Sequence, residues 1–125
     1  MDIKLSTIQK REKLNDVIAK GSPGFGNAYH VYEIIKHGAD DDEDGGPVAK
    51  IQFQNGARKH INSTPGVIDT DLLEIVRHRL MCFQSSEFKT ETNEQALRHV
   101  EEALMWLNRR IEDRIERDVL GTYNK

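Results

Sequence analysis

A chain of 125 residues, 37% hydrophobic and 31% charged, has material for one core of ordinary size under a well-solvated surface. Its net charge of −3 argues against a binder of duplex nucleic acid, which carries a basic excess, yet leaves room for a small anion held by a few local arginines. No stretch approaches the roughly 18 apolar residues of a membrane span, and the start, Met1 to Leu5, lacks the apolar run of a secretion signal. Cys82 is the one cysteine, so no internal disulfide can form and a reducing cytoplasm is the expected setting.

Residues 1–20 mix apolar and charged side chains without a clean period, with a lean towards a strand near 14–20. Gly21 to Asn27 holds three glycines and a proline in seven residues and reads as a loop. Ala28 to His37 is rich in aromatic and β-branched residues (Tyr29, Val31, Tyr32, Ile34, Ile35) and predicts a strand. An acidic turn over 40–46 follows, then a partner strand over Val48 to Phe53, the two strands forming an antiparallel hairpin. Asn55-Gly56 is a further turn signal.

After residue 66 the apolar period lengthens from about two to about 3.6. A helix capped by Asp69 or Thr70 carries Leu72, Ile75, Val76, Leu80 and Phe83, and Gln84 to Glu87 breaks it. A second helix opens near Thr92, where Thr92 and Gln95 have capping-box spacing, and Gly121 ends it. Leu97, Val100, Leu104, Leu107, Ile111 and Ile115 form its stripe, and its length of about 27 residues corresponds to roughly 40 Å. The shorter first helix cannot cover all of that stripe, so a homo-oligomer through the helices is expected.

Trp106, Arg110, Arg114 and Arg117 fall within roughly 80° of the second helix. Arg110 and Arg114 stack like charges one turn apart, and an anion between them would relieve the repulsion, since guanidinium donors match phosphate oxygens. Read from spacing alone, the better account is that these are solvated arginines complementing the helix dipole, and Asp113 can pair with Arg109, Arg110 or Arg117. Phe83 and Phe88 bracket the inter-helix turn, either as packing or as a stacking platform; Asn93 could cap the helix or bind a ligand. None of the five histidines has metal-ligand spacing with Cys82, which reads as a buried apolar residue, and there is no nucleophile elbow; no metal, cofactor or catalytic residue is expected. The loop over 21–27 lacks the ending and the following helix of a phosphate loop.

Several strings then resemble a known family. They are Ile51-Gln-Phe-Gln-Asn-Gly56, Asp71 to Val76 with Arg79-Leu80 and Phe83-Gln84, Thr92-Asn-Glu-Gln-Ala-Leu97, Glu101-Glu-Ala-Leu104 with Trp106-Leu107 and Arg110, and Gly121-Thr122. Gly21-Ser-Pro-Gly24, Ala28-Tyr-His30 and Tyr32-Glu33 extend the likeness upstream. Together they are similar to the Thoeris anti-defence sponges of phages, which share a C-terminal helical hairpin with the phage anti-CBASS sponges. The resemblance implies a small protein that binds cyclic ADP-ribose isomers at a dimer interface without degrading them, some members forming hexamers that also hold cyclic di- or trinucleotides. By motif position, Phe83 would stack on the adenine, Asn93 would bond the ligand's polar edge, and Arg110 and Arg114 would grip the diphosphate. The chain departs from the family pattern at Ile61 to Gly66, Ser86 to Phe88 and Arg117 to Leu120.

The expectation is therefore an α+β protein: a small N-terminal antiparallel β-region over 1–66, then an antiparallel helical hairpin with one long helix over 67–125, in one compact domain overall. It is expected to be a non-enzymatic sponge in the cytoplasm of the infected bacterium, a homodimer or hexamer, with no DNA, RNA or membrane partner. The alternative is a non-catalytic phage structural or protein-binding accessory factor.

Overall fold

The computed structural model describes residues 1–39 and 46–125. The chain divides into two compact units, Met1–Gly66 and Val67–Lys125. The first is a β-sheet and the second a helical hairpin, an α+β architecture.

The sheet is an antiparallel meander of four strands in chain order: β1 (Ile3–Lys4), β2 (Asn15–Lys20), β3 (Val31–Lys36) and β4 (Ala49–Gln52). The strand expected near 14–20 is β2, and the β3–β4 hairpin is shorter at its ends than the pattern suggested. Tyr29 precedes the ladder, and Val48 and Phe53 pair only through single backbone bonds, to Ile34 and His30. The acidic residues 40–45 lie outside the described residues. Register and the two-residue strand period set Val17, Ala19, Tyr32, Ile34 and Ile51 on one face. Phe53, just beyond β4, meets Tyr32 edge to face at 5.5 Å.

Asp16, Ile18 and Ile35 share the other face, all buried. Asp16 is a charged residue only 1% exposed, and a buried charge requires partners. It has them: His37 Nδ1 at 2.9 Å, the Gly38 N–H at 3.0 Å, Lys13 at 3.4 Å and Lys4 at 3.8 Å. The hydrogen bond from His37, and after it that from Gly38, hold the carboxyl well below the usual carboxylate range, against the opposing effect of burial. This clasp ties β1, the entry to β2 and the exit of β3 together.

The loop over 21–27 is confirmed, with Gly21, Gly26 and Asn27 at positive φ and a 3-10 turn at Phe25–Asn27. Beyond β4, Asn55 and Thr64 bridge through reciprocal 2.9 Å backbone bonds. Gly66 then crosses β4 so closely that a Cβ there would overlap the Gln52 carbonyl oxygen and the Phe53 carbonyl carbon.

The hairpin unit consists of α1 (Asp69–Gln84) and α2 (Glu91–Glu116). Asp69 and Thr70 lie inside α1 rather than capping it. The N-cap is Ile68, whose N–H donates to the Asp71 carboxylate at 2.9 Å, since an acid at the third helical position can reach back where the apolar cap side chain cannot. Likewise α2 is capped by Thr90 and not Thr92: Thr90 Oγ1 accepts the Asn93 N–H at 3.0 Å. The helix ends at Glu116, short of Gly121, because Asp118 adopts positive φ and the chain folds back.

Leu72, Leu73 and Leu80 of α1 face Leu97, Val100, Leu104, Leu107 and Ile111 of α2, all half-buried. Arg77 bridges the helices, donating to Glu101 at 2.8 Å and to Glu74 at 3.3 Å; these acids, Glu101 first, raise the guanidinium's pKa. Ile75, Val76 and Phe83, expected on the apolar stripe, are exposed, and no apolar side chain of the described hairpin unit is fully buried. Cys82 is exposed too, contrary to the expectation of a buried thiol, because it lies on the solvent side of α1 with His78 one turn earlier at 3.8 Å.

Candidate functional site

The turn between the helices is locked by one side chain. Gln84 donates from Nε2 to the Thr90 carbonyl at 3.0 Å and accepts the Thr90 N–H on Oε1 at 3.1 Å. Ser86 Oγ adds a bond to the Phe83 carbonyl at 2.7 Å and accepts the Phe88 N–H at 3.1 Å. The clamp fixes Phe83, immediately before Gln84, and Asn93, one turn past Thr90, at the same end of the hairpin. Sequence reasoning took Gln84 as a helix breaker and missed its bidentate role, since an amide can satisfy one backbone N–H and one C=O only if the turn brings them side by side.

Phe83 is 41% exposed, with the Arg79 guanidinium 5.7 Å from its ring centre. An exposed ring with a cation beside it suits a nucleobase, whose π-face stacks without regard to sequence. Asn93 uses its backbone N–H for the cap, and its half-buried carboxamide has no hydrogen-bond partner among the described residues. Phe88 is also exposed, so neither phenylalanine packs the hairpin end.

At the far end of α2 the four residues grouped by spacing separate into different environments. Trp106 is exposed, with Arg109, not Arg110, over its ring at 5.5 Å. Arg117 pairs with Asp113 at 3.1 Å and donates to the Lys125 carbonyl at 2.6 Å. Arg110 is exposed, with no salt bridge among the described residues.

Arg114 is only 9% exposed. Its Nη1 donates to the Asn124 carbonyl at 3.0 Å, and its Nη2 to those of Val119 at 3.0 Å and Thr122 at 3.2 Å. The helix-ending fold-back at Asp118 and the positive φ of Gly121 aim these carbonyls at one guanidinium. Three of its five N–H donors are thereby committed, and two remain. The Gly121-Thr122 string was the available signal for this turn.

Phe83 and Asn93 thus sit at one end of the hairpin and Arg110 and Arg114 towards the other. From Asn93 to Arg110 the axis of α2 runs about 25 Å, longer than a dinucleotide-sized ligand bridges within one copy. One chain does not bring the four residues together.

An antiparallel meander followed by a helical hairpin, with an exposed phenylalanine near one hairpin end and arginines towards the other, defines a small α+β hairpin protein. The family described as Acb2/Tad1, hairpin domain, matches residues 46–112, and the chain belongs to that family. Phe83, Asn93 and Arg110 fall inside the matched span, and Arg114 lies just beyond it. The chain is also 42% identical over 80 residues to a protein of Bacillus phage SBSphiJ7 called Thoeris anti-defense 1, a match that takes in 64% of this chain and 56% of the relative. The chain therefore spans little more than half the relative's length.

Proposed function

We propose that this protein is a phage anti-defence sponge that binds a cyclic ADP-ribose isomer inside the infected bacterium and holds it intact, blocking Thoeris-type signalling. Membership of the Acb2/Tad1 hairpin family and the name of the Bacillus phage relative support the reading. The observation that carries it is the division of the candidate ligand residues between the two ends of the hairpin. It fits a homodimer, or a hexamer built from dimers, in which each ligand lies between copies.

Phe83 stacks on the adenine and the Asn93 carboxamide bonds its polar edge. Arg110 of the other copy, without a salt bridge among the described residues, takes the diphosphate as its main cation. Arg114 contributes its two uncommitted N–H groups and holds the C-terminal turn beside the phosphates. One charged hydrogen bond stabilises by about 1.5–3 kcal/mol and stacking by about 1–3 kcal/mol per base, so the set supports submicromolar affinity. Inhibition then follows from mass action: protein in excess of the signal lowers free ligand below the effector's threshold. Cyclic di- or trinucleotides occupy other sites in this reading.

A panel of cyclic ADP-ribose isomers and cyclic oligonucleotides tests it. At a free concentration about 100 times Kd, a true ligand stabilises the fold by about 2.7 kcal/mol and raises Tm by several degrees. Mass spectrometry after heat release should find that ligand unbroken. Cleaved products, or a panel with no thermal shift, defeat the proposal.

A further inference from the structure

Two arginines of α1, two positions apart, have different surroundings. Arg77 is half-buried between the helices and is held by Glu101 at 2.8 Å and Glu74 at 3.3 Å. Arg79 is exposed and has no salt bridge among the described residues. Its guanidinium lies instead over the ring of Phe83, 5.7 Å from the centroid.

The spacing makes this contact. Helical side chains tilt towards the N-terminus, so the ring of Phe83 leans back onto the turn that carries Arg79, four residues earlier. The Gln84 clamp holds the backbone beside Phe83 and does not touch the ring. Arg79 is what holds the ring. An aromatic ring has two stacking faces, and with the guanidinium over one, a base arriving from solvent stacks on the other. Positive charge behind the ring draws its π-electrons away from that second face. The face then suits an electron-rich, uncharged base such as a purine and disfavours a positively charged one.

We infer that Arg79 is a positioning residue of the ligand site and acts through Phe83. It fixes the ring in advance, so less of the cost of ordering that side chain falls on binding, and it leaves a single face for the base. It stands behind the ring and does not touch the phosphates, unlike the role proposed for Arg110. The inference rests on the stacking role proposed for Phe83, but not on which isomer binds or on how copies associate.

Calorimetry on the full chain tests it, with the cyclic ADP-ribose isomer that most raises the parent's Tm as the probe. Arg79→Ala and Arg79→Gln should each weaken binding about 5-fold, and Arg79→Lys, which keeps the charge but stacks less well, about 2-fold. Circular dichroism should show the parent's helix content in all three. Phe83→Leu keeps an apolar contact but has no π-face, and in that background Arg79→Ala should change the remaining affinity by less than about 1.5-fold. The dependence of Kd on salt should be the same in Arg79→Ala as in the parent, whereas loss of a cation that touched phosphate would flatten it. Parent-like binding by Arg79→Ala, an equal loss in both backgrounds, or a flattened salt dependence overturns this role for Arg79 and leaves the Phe83 site standing. A parent that shows no thermal shift with any member of the panel overturns both.

Discussion

Gln84 grips the backbone of Thr90 with both atoms of its amide, at 3.0 and 3.1 Å, so the angle between the two helices is set by a side chain and not by turn geometry alone. Gln84→Ala removes both bonds and should cost the hairpin about 1–2 kcal/mol, while Thr90→Ala removes the cap on Asn93 and an exposed hydroxyl contact with Thr92 and should cost about 1 kcal/mol. Because Gln84 touches the Thr90 backbone and not its hydroxyl, the two losses should add within about 0.5 kcal/mol in urea titrations.

The two arginines one turn apart should part company on mutation. Arg114→Ala strips three backbone carbonyls of their common donor and should destabilise the chain by about 3 kcal/mol, with Arg114→Lys recovering part of that. Arg110 is exposed, so Arg110→Ala should leave stability within about 0.5 kcal/mol while removing ligand binding. Calorimetry and thermal melts on the same samples separate the two effects.

Asp16 gives the sheet an acid-labile clasp. Its folded pKa lies below the unfolded value near 3.9, so its contribution is complete above that pH and falls away as the pH drops from about 4 towards the folded pKa. Sheet stability should therefore decline with acid below about pH 4. Asp16→Asn should be less stable at neutral pH and show a flatter dependence in that window, measured by denaturant titration at stepped pH.

Gly66→Ala forces a methyl group into the backbone of β4 at Gln52 and Phe53. The chain must move off the strand, and the cost should exceed the usual 0.5 kcal/mol or so of a surface change, reaching about 2–3 kcal/mol. Hydrogen exchange should show the loss concentrated in β3 and β4.

Pattern made the architecture readable. The period-two run around Tyr32 and Ile34 and the 3.6-residue stripe from Leu97 to Ile111 both report which side of an element meets its neighbours. Termini were misjudged because caps depend on single side chains in competition: Asp71 reaches back to Ile68 and Thr90 outbids Thr92, and spacing does not rank such rivals. Cys82 and Ile75 were assigned to a core that one copy of the hairpin lacks. The arginine cluster was visible as a group, but the burial of Arg114 depends on a fold-back after Asp118 that begins outside any periodic segment. Gln84 gave no signal, since its role exists only once residues 84 and 90 are side by side.

Mixing two inactive chains tests the shared site most directly. Phe83→Ala and Arg110→Ala should each fail to bind the cyclic ADP-ribose isomer that the parent binds. If each site takes its aromatic from one copy and its arginine from the other, random re-pairing makes half of the dimers mixed, each with one intact site, so an equal mixture should recover about a quarter of the parent's binding capacity by equilibrium dialysis. A mixture that binds no more than either variant alone would contradict a site built from two copies.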